Sequence, residues 1–202
     1  MRITIFGATG RTGQLLVRLA LDAGHTVTAY ARTPGKLAIT HAHLSVVAGE
    51  LDDDAAILEA VRGADAVIEG VGSESAATRR IVAAMGTAGV RRLVAISTCS
   101  APDPDDLPDH EAEALVQFVR TAAPRAWAEV RAAAETVRAS GLDWTLVRVA
   151  RLNDEPATGD IKVGHYGHGT VGLSLGRSRL AAFLLDQVND ASHLRAAPAI
   201  SD

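Results

Sequence analysis

The run Gly7-Ala8-Thr9-Gly10-Arg11-Thr12-Gly13 constrains this chain more than any other stretch of it. It follows Arg2-Ile3-Thr4-Ile5-Phe6, a short apolar and β-branched run, and opens a stretch from Thr12 to Ala23 whose apolar residues recur at helical spacing. Glycines spaced Gly-x-x-Gly-x-x-Gly let the backbone turn sharply after a strand, bring main-chain N–H groups within reach of a diphosphate, and seat a helix closely on a sheet. The helix N-terminus adds roughly half a positive charge toward that diphosphate. A strand before, a helix after and a β-α-β unit of about 30 residues together imply dinucleotide binding.

The rest of the chain repeats the alternation. Strands are expected over Arg2 to Phe6, Thr26 to Tyr30, Leu44 to Val47, Ala66 to Gly70, Leu93 to Ser97 and Trp144 to Val149. Helices are expected over Thr12 to Ala23, Asp53 to Arg62, Ser75 to Gly86, Glu111 to Thr121 and Arg125 to Ser140. Gly24, Gly63, Gly89 and Gly141 each stand between a helical stretch and the next strand, where a left-handed cap suits glycine. This order implies an α/β fold, a Rossmann-type doubly wound parallel sheet. With 202 residues the chain reads as a single domain. Roughly the first 150 residues form the cofactor-binding core, and about 50 more, from Arg151 onward, complete a small substrate pocket. In that tail the pattern weakens over Asn153 to Gly172, resumes helical spacing over Arg177 to Val188 and ends on a short strand near Ala197 to Ile200. The proline- and aspartate-rich loop Ser100 to His110 makes a natural rim.

Composition narrows the partners. A net charge of -4 without runs of like charge gives no footprint for nucleic acid or an anionic membrane. The single Cys99 forms no internal disulfide, and His41-x-His43 and His165-x-x-His168 lack companion ligands at helical metal spacing, so no metal is expected. Met1-Arg2 passes directly into a strand, too briefly for a signal-peptide core, and no apolar run approaches the roughly 18 residues of a membrane span. The chain therefore reads as cytoplasmic, with a small-molecule substrate.

The end of the second strand selects the dinucleotide. An acid there holds the ribose hydroxyls of NAD, whereas an arginine accommodates a 2'-phosphate. This chain reads Thr28-Ala29-Tyr30-Ala31-Arg32-Thr33-Pro34, with no acid. Arg32 is the expected phosphate clamp, Arg11 a second cation and Lys36 a weaker third, so the cofactor is NADP(H).

GATGRTG near the N-terminus, Val47-Ala48-Gly49-Glu50-Leu51-Asp52, Gly63-Ala64-Asp65-Ala66-Val67-Ile68 and Ser140-Gly141-Leu142-Asp143-Trp144-Thr145-Leu146-Val147-Arg148 resemble the atypical short-chain dehydrogenase/reductases. Within them the chain is most similar to the NAD(P)H-binding NmrA-like and flavin reductase or biliverdin IX-beta reductase group, over nearly its whole length. The resemblance implies that Gly7, Thr9, Gly10, Arg11, Thr12 and Gly13 cradle the cofactor. It also implies that Glu50 and Leu51 border the adenine, and that Val71 and Gly72 pass beside the adenine ribose and diphosphate. Ser97 and Thr98, at the end of the fifth strand, lie beside the nicotinamide, where the family uses a serine or threonine hydroxyl; a one-residue register difference decides which of them faces the cofactor.

The usual proton donor is missing. Short-chain dehydrogenases use Tyr-x-x-x-Lys on the following long helix, but Tyr30 is followed at the fourth position by Pro34 and Tyr166 by Thr170, and the nearest match on the expected helix is Trp127-x-x-x-Arg131. General acid catalysis contributes about 10² to 10⁴ in rate, so its loss disfavours ordinary ketone chemistry more than reduction of a flavin or quinone. Trp127 either walls a planar acceptor or packs the helix. Arg151 either binds an acidic group on a substrate or pairs with Asp154. His110, His165 and His168 are proton donors only if their loops fold over the cofactor. The leading expectation is an NADPH-dependent reductase of a small planar or carbonyl-bearing acceptor. The alternatives are a non-catalytic NADP(H)-binding sensor of the NmrA type and an NADP-retaining epimerase or dehydratase. A monomer is expected by analogy with small relatives, with a dimer as the alternative.

Overall fold

A computed structural model of the chain describes residues 1–155 and 159–202; residues 156–158, inside the stretch from Asn153 to Gly172, lie outside the described residues. Along the chain the elements are β1 (Arg2–Phe6), α1 (Arg11–Asp22), β2 (Thr26–Ala31), β3 (Leu44–Ala48), α2 (Asp54–Val61), β4 (Ala66–Glu69), α3 (Ser75–Ala88) and β5 (Arg92–Thr98). They continue with α4 (His110–Ala122), α5 (Pro124–Ala139), β6 (Asp143–Val149), β7 (Arg151–Asn153), β8 (Lys162–Gly164), β9 (Ser174–Gly176), α6 (Arg177–Asp186) and β10 (Ala199–Ser201). The sheet order is β3-β2-β1-β4-β5-β6-β10-β8, parallel except for β8, which runs antiparallel to β10. The chain reverses its winding between β1 and β4, and that switch point, at the carboxyl ends of the strands, is where such sheets bind ligands.

Side-chain alternation explains the two layers. In β1, Ile3 and Ile5 face one side with Val27, Ala29, Ile68 and Val94, where α1 covers them through Leu16, Val17, Ala20 and Leu21 and α6 through Leu180 and Leu184. Phe6, Val67, Leu93, Ala95, Trp144 and Leu146 face the other side, packed under Ile57, Ile81, Met85, Val130 and Val137 of α2, α3 and α5. The glycines expected to cap helices do so: Gly24, Gly63, Gly89 and Gly141 have φ of +80°, +69°, +70° and +67°.

The tail holds more structure than its sequence suggested. β7 and β9 pair as a separate parallel ribbon, and β8 extends the main sheet beyond β10. At three residues each, these strands are too short to show a period.

The rim loop is fixed by a buried ion pair. Arg148 of β6 is fully buried, donates through Nη1 and Nη2 to the Asp106 carboxylate at 2.5 and 2.8 Å, and donates through Nε to the Ala197 carbonyl at 2.7 Å. Asp106 also accepts the N–H groups of Asp103 (2.8 Å) and Tyr166 (3.1 Å), tying the rim to the segment after β8. Burial alone raises this carboxyl, but Arg148 and the backbone donors more than offset it and hold the group below the ordinary aspartate value. Its contribution to stability is therefore fully present above the unfolded value of about 3.9 and is lost as the pH falls through the lower folded value. Removing one partner leaves an unanswered buried charge, so Asp106→Ala is expected to lose about 3–5 kcal/mol in urea unfolding at neutral pH. A loss below about 1 kcal/mol would show that the rim does not depend on the pair.

Candidate functional site

The site begins at the turn between β1 and α1. Gly7 has φ of +81°, and the N–H of Gly10 donates to its carbonyl at 3.0 Å. A side chain at Gly7 would meet the Gly70 carbonyl oxygen at 3.1 Å, and one at Gly13 would overlap the Gly7 carbonyl and lie 2.9 Å from Ala8 Cα. The glycines therefore bring α1 directly onto the turn and the turn directly against the end of β4. Gly10 caps α1 without any side-chain hydrogen bond, and the first turn carries no acid. The leading N–H groups and the positive end of the helix are thus left for an anion.

Two concavities meet at Gly7. One, of about 300 Å³, is lined by Gly10, Arg11, Thr12 and Gly13 together with Ile96, Leu152 and Arg177. The other, of about 240 Å³, is lined by Thr9, Arg32, Lys36, Glu50, Leu51 and Val71. A shape with a glycine turn at its centre and two cations, Arg32 and Lys36, beside Glu50 and Glu74 at one end can take a dinucleotide, with Arg32 and Lys36 the groups that would meet a 2'-phosphate. Arg32 is largely exposed, and its Nη1 lies 3.9 Å from the Glu50 carboxylate. So loose an exposed pair contributes little and leaves the guanidinium able to turn to a phosphate. Gly72 sits behind this wall, where a side chain would overlap the Ile96 carbonyl.

Arg11 departs from expectation. It lies in the first concavity, on the opposite side of the turn from Arg32, and donates to the Asp154 carboxylate, which Arg177 Nη1 also reaches at 2.9 Å. Adjacency to the glycines therefore does not bring Arg11 into the concavity that holds Arg32. Asp154 is thus taken by these two arginines, and Arg151, exposed on β7, is not its partner.

The pleat separates Ser97 from Thr98. Thr98 shares its face of β5 with Ile96, which lines the glycine-turn concavity, and its Oγ1 accepts the Ser100 N–H at 3.1 Å. Ser97 faces the other way, paired in register with Arg148, and its buried Oγ has no hydrogen-bond partner among the described residues. Past β5 a further cavity of about 380 Å³ is lined by Cys99, Ser100, Asp106, Ala112, Arg131 and Tyr166. Burial pushes the Cys99 thiol up, away from thiolate chemistry. Trp127 is not on this cavity's wall; its ring centroid lies 5.3 and 5.0 Å from the guanidinium carbons of Arg120 and Arg131. His165 and His168 lie against the rim, His165 Nδ1 3.7 Å from an Asp103 oxygen and His168 Nε2 2.9 Å from the Asp105 carbonyl, and His110 begins α4. The rim also gathers Asp103, Asp105 and His165 within 4.8 Å of one another, a grouping that sequence spacing hides.

Four residues were missed in the sequence. Tyr30 donates its hydroxyl to the Glu50 carbonyl at 2.6 Å, holding the Glu50–Leu51 wall, with its own pKa pushed up to about 12 by burial and by Asp53 and Glu50. Asp106 and Arg148 pair across the fold with no local signal. Glu69, an acid within a buried strand, was legible as an anomaly.

The sequence model described as NAD(P)H-binding matches residues 7–191. The chain belongs to that family. A (4-alkanoyl-5-oxo-2,5-dihydrofuran-3-yl)methyl phosphate reductase from Streptomyces griseus is 33% identical over 147 residues, covering 72% of this chain and 46% of that protein. A probable pinoresinol-lariciresinol reductase from Arabidopsis thaliana is 30% identical over 114 residues, 54% of this chain and 37% of that one. The chain thus spans under half the length of these curated relatives. The fold matches a short-chain dehydrogenase/reductase from Veillonella parvula in complex with NADP (TM-score 0.84, 22% identity, 100% of this chain and 94% of that one). It also matches ChuY, an anaerobillin reductase from Escherichia coli O157:H7 (TM-score 0.80, 19% identity, 100% and 97%). Among the described residues no helix is long and apolar enough to cross a membrane.

If Arg32 holds the 2'-phosphate, Arg32→Ala weakens NADPH binding by about 1.5–3 kcal/mol, the scale of hydrogen bonds to charged groups, and spares NADH. Fluorescence titration of both cofactors checks this, and equal losses would overturn it.

Proposed function

We propose that this protein is an NADPH-dependent reductase of a small planar or carbonyl-bearing acceptor of the flavin or quinone kind, acting as a cytoplasmic monomer. The observation that carries the reading is the cleft at the switch point, with an uncapped helix N-terminus at its centre and Arg32 with Lys36, and no acid on β2, at its far end. The names of the curated reductases support the reaction class. When bound, the cofactor supplies a hydride from its nicotinamide. Gly7 to Gly13 hold the diphosphate, Arg32 the 2'-phosphate, and Glu50, Leu51, Val71 and Gly72 flank the adenosine. Thr98, on the cleft face of β5, orients the nicotinamide end and hydrogen-bonds the acceptor, while Ser97 supports it from the opposite face. Trp127, packed against Arg120 and Arg131, and Arg151, exposed on β7, line neither concavity nor the cavity beyond β5, so neither is given contact with the acceptor.

No side chain takes the place of the usual tyrosine acid on α5, where Trp127 stands between two guanidinium groups. That suits an acceptor whose added electrons are delocalised and whose proton comes from water. The same observation favours a second reading, a redox sensor that binds NADP(H) without turnover. An epimerase or dehydratase would need the absent acid and is the weaker alternative.

NADPH oxidation against a panel of flavins, quinones and biliverdin-like acceptors decides between them. The reductase reading expects steady turnover with at least one class. Thr98→Val should then lower kcat/KM about 10- to 100-fold with the NADPH Kd unchanged. Tight NADPH binding without turnover for any acceptor would replace the enzyme with the sensor.

A further inference from the structure

Glu69 ends β4, in a strand whose other residues are Ala66, Val67 and Ile68, and it is 1% exposed. Its Oε1 accepts the Val71 N–H at 3.2 Å and lies 3.5 Å from the Thr78 hydroxyl of α3, which donates to it. The loop that Glu69 holds is wedged into the cofactor cleft. A side chain at Gly70 would meet the Phe6 carbonyl at 3.0 Å, and Val71 lines the same concavity as Arg32 and Glu50. A side chain at Gly72 would stand 3.9 Å from Glu69 Oε2, so the carboxyl lies directly behind the loop.

No cation answers this carboxyl among the described residues. At the start of α3, the N-cap Glu74 lines the cleft, and within α3 Arg79 donates to Ser75 Oγ at 3.3 Å. On α5, Glu129 accepts the Ser75 N–H at 2.8 Å, and Arg131 faces the cavity beyond β5. On β2, Tyr30 is engaged with the Glu50 carbonyl; ahead of α2, Asp52 and Asp53 add only negative charge; on the glycine turn, Arg11 is held by Asp154. Burial raises the carboxyl to about 7, with the Val71 and Thr78 bonds pulling it only part of the way back.

We propose that Glu69 is a positioning residue for the Val71–Gly72 wall and that it takes up a proton when NADP(H) binds. An anion carrying several negative charges, laid against the loop, makes a second buried negative charge behind that loop more costly. The neutral carboxyl keeps its carbonyl oxygen for the Val71 N–H. By linkage, cofactor affinity then falls as the pH rises above the free protein's Glu69 value, by at most tenfold per pH unit for one proton. The 2'-phosphate itself ionises near pH 6 and opposes this trend, but equally in any variant of Glu69.

The inference rests on the cofactor reading above, and its test separates the two. NADP+ is titrated calorimetrically into wild type and Glu69→Gln at pH 7.5, in pairs of buffers with different ionisation enthalpies. The wild type is expected to bind up to one proton more than Glu69→Gln, and the ratio of their affinities to widen in favour of the variant from pH 6.5 to 8.5. Binding with equal proton counts would overturn the role of Glu69 alone; failure of the wild type to bind NADP+ would overturn both. Should Glu69→Gln not fold, the infrared difference spectrum of the wild type decides: a protonated-carboxyl band gained on NADP+ binding supports the proposal, and its absence rejects it.

Discussion

A guanidinium without solvent contact must be answered by fixed acceptors, and in this protein Asp106 and the Ala197 carbonyl answer Arg148. Asp106 lies in an otherwise irregular, proline-rich loop, yet its two oxygens are spoken for by four donors from β6, the loop itself and the segment after β8. The loop's position is therefore set by the sheet rather than by its own conformational preferences. The cavity beyond β5 inherits that rigidity, because Asp106 and Tyr166 form part of its wall. Tyr166 adds a ring 5.2 Å from the Arg148 guanidinium, an arrangement worth more in a desolvated place than at a surface.

The cofactor side is built on the opposite logic. Arg32 is exposed and loosely paired, Arg11 and Arg177 share the Asp154 carboxylate, and the tightest features are backbone approaches that permit no side chain at Gly7 and Gly13. Shape there comes from what is missing, and Arg32 is the cation free to reorient. The cavity beyond β5 is instead walled by buried, interlocked groups.

Much of this was legible in the sequence, for reasons that can be named. The glycine turn, the helix-capping glycines and the apolar runs of β1, β2, β4, β5 and β6 are local signals, and the structure follows them within a few residues. β7, β8 and β9 were hidden because three residues cannot show alternation. Arg148 and Asp106 were hidden because their partnership spans 42 residues and leaves no local mark. The pairing of Arg11 with Asp154 was hidden because the two lie 143 residues apart. The choice between Ser97 and Thr98 needed the pleat, which only the register of β5 against β6 supplies.

The bridge from Arg11 through Asp154 to Arg177 alters how the mouth of the cleft is seen from solution. Two arginines flank the glycine turn, but a tethered carboxylate already neutralises the equivalent of one of them, leaving a single unit of positive charge there. A small free anion arriving at that mouth meets a counter-ion that cannot diffuse away, and it has only charge with which to compete. A dinucleotide whose adenosine occupied the second concavity would gain contacts there that the carboxylate cannot contest. For a dinucleotide laid along both concavities, such a built-in counter-ion would discount competitors recognised by charge alone.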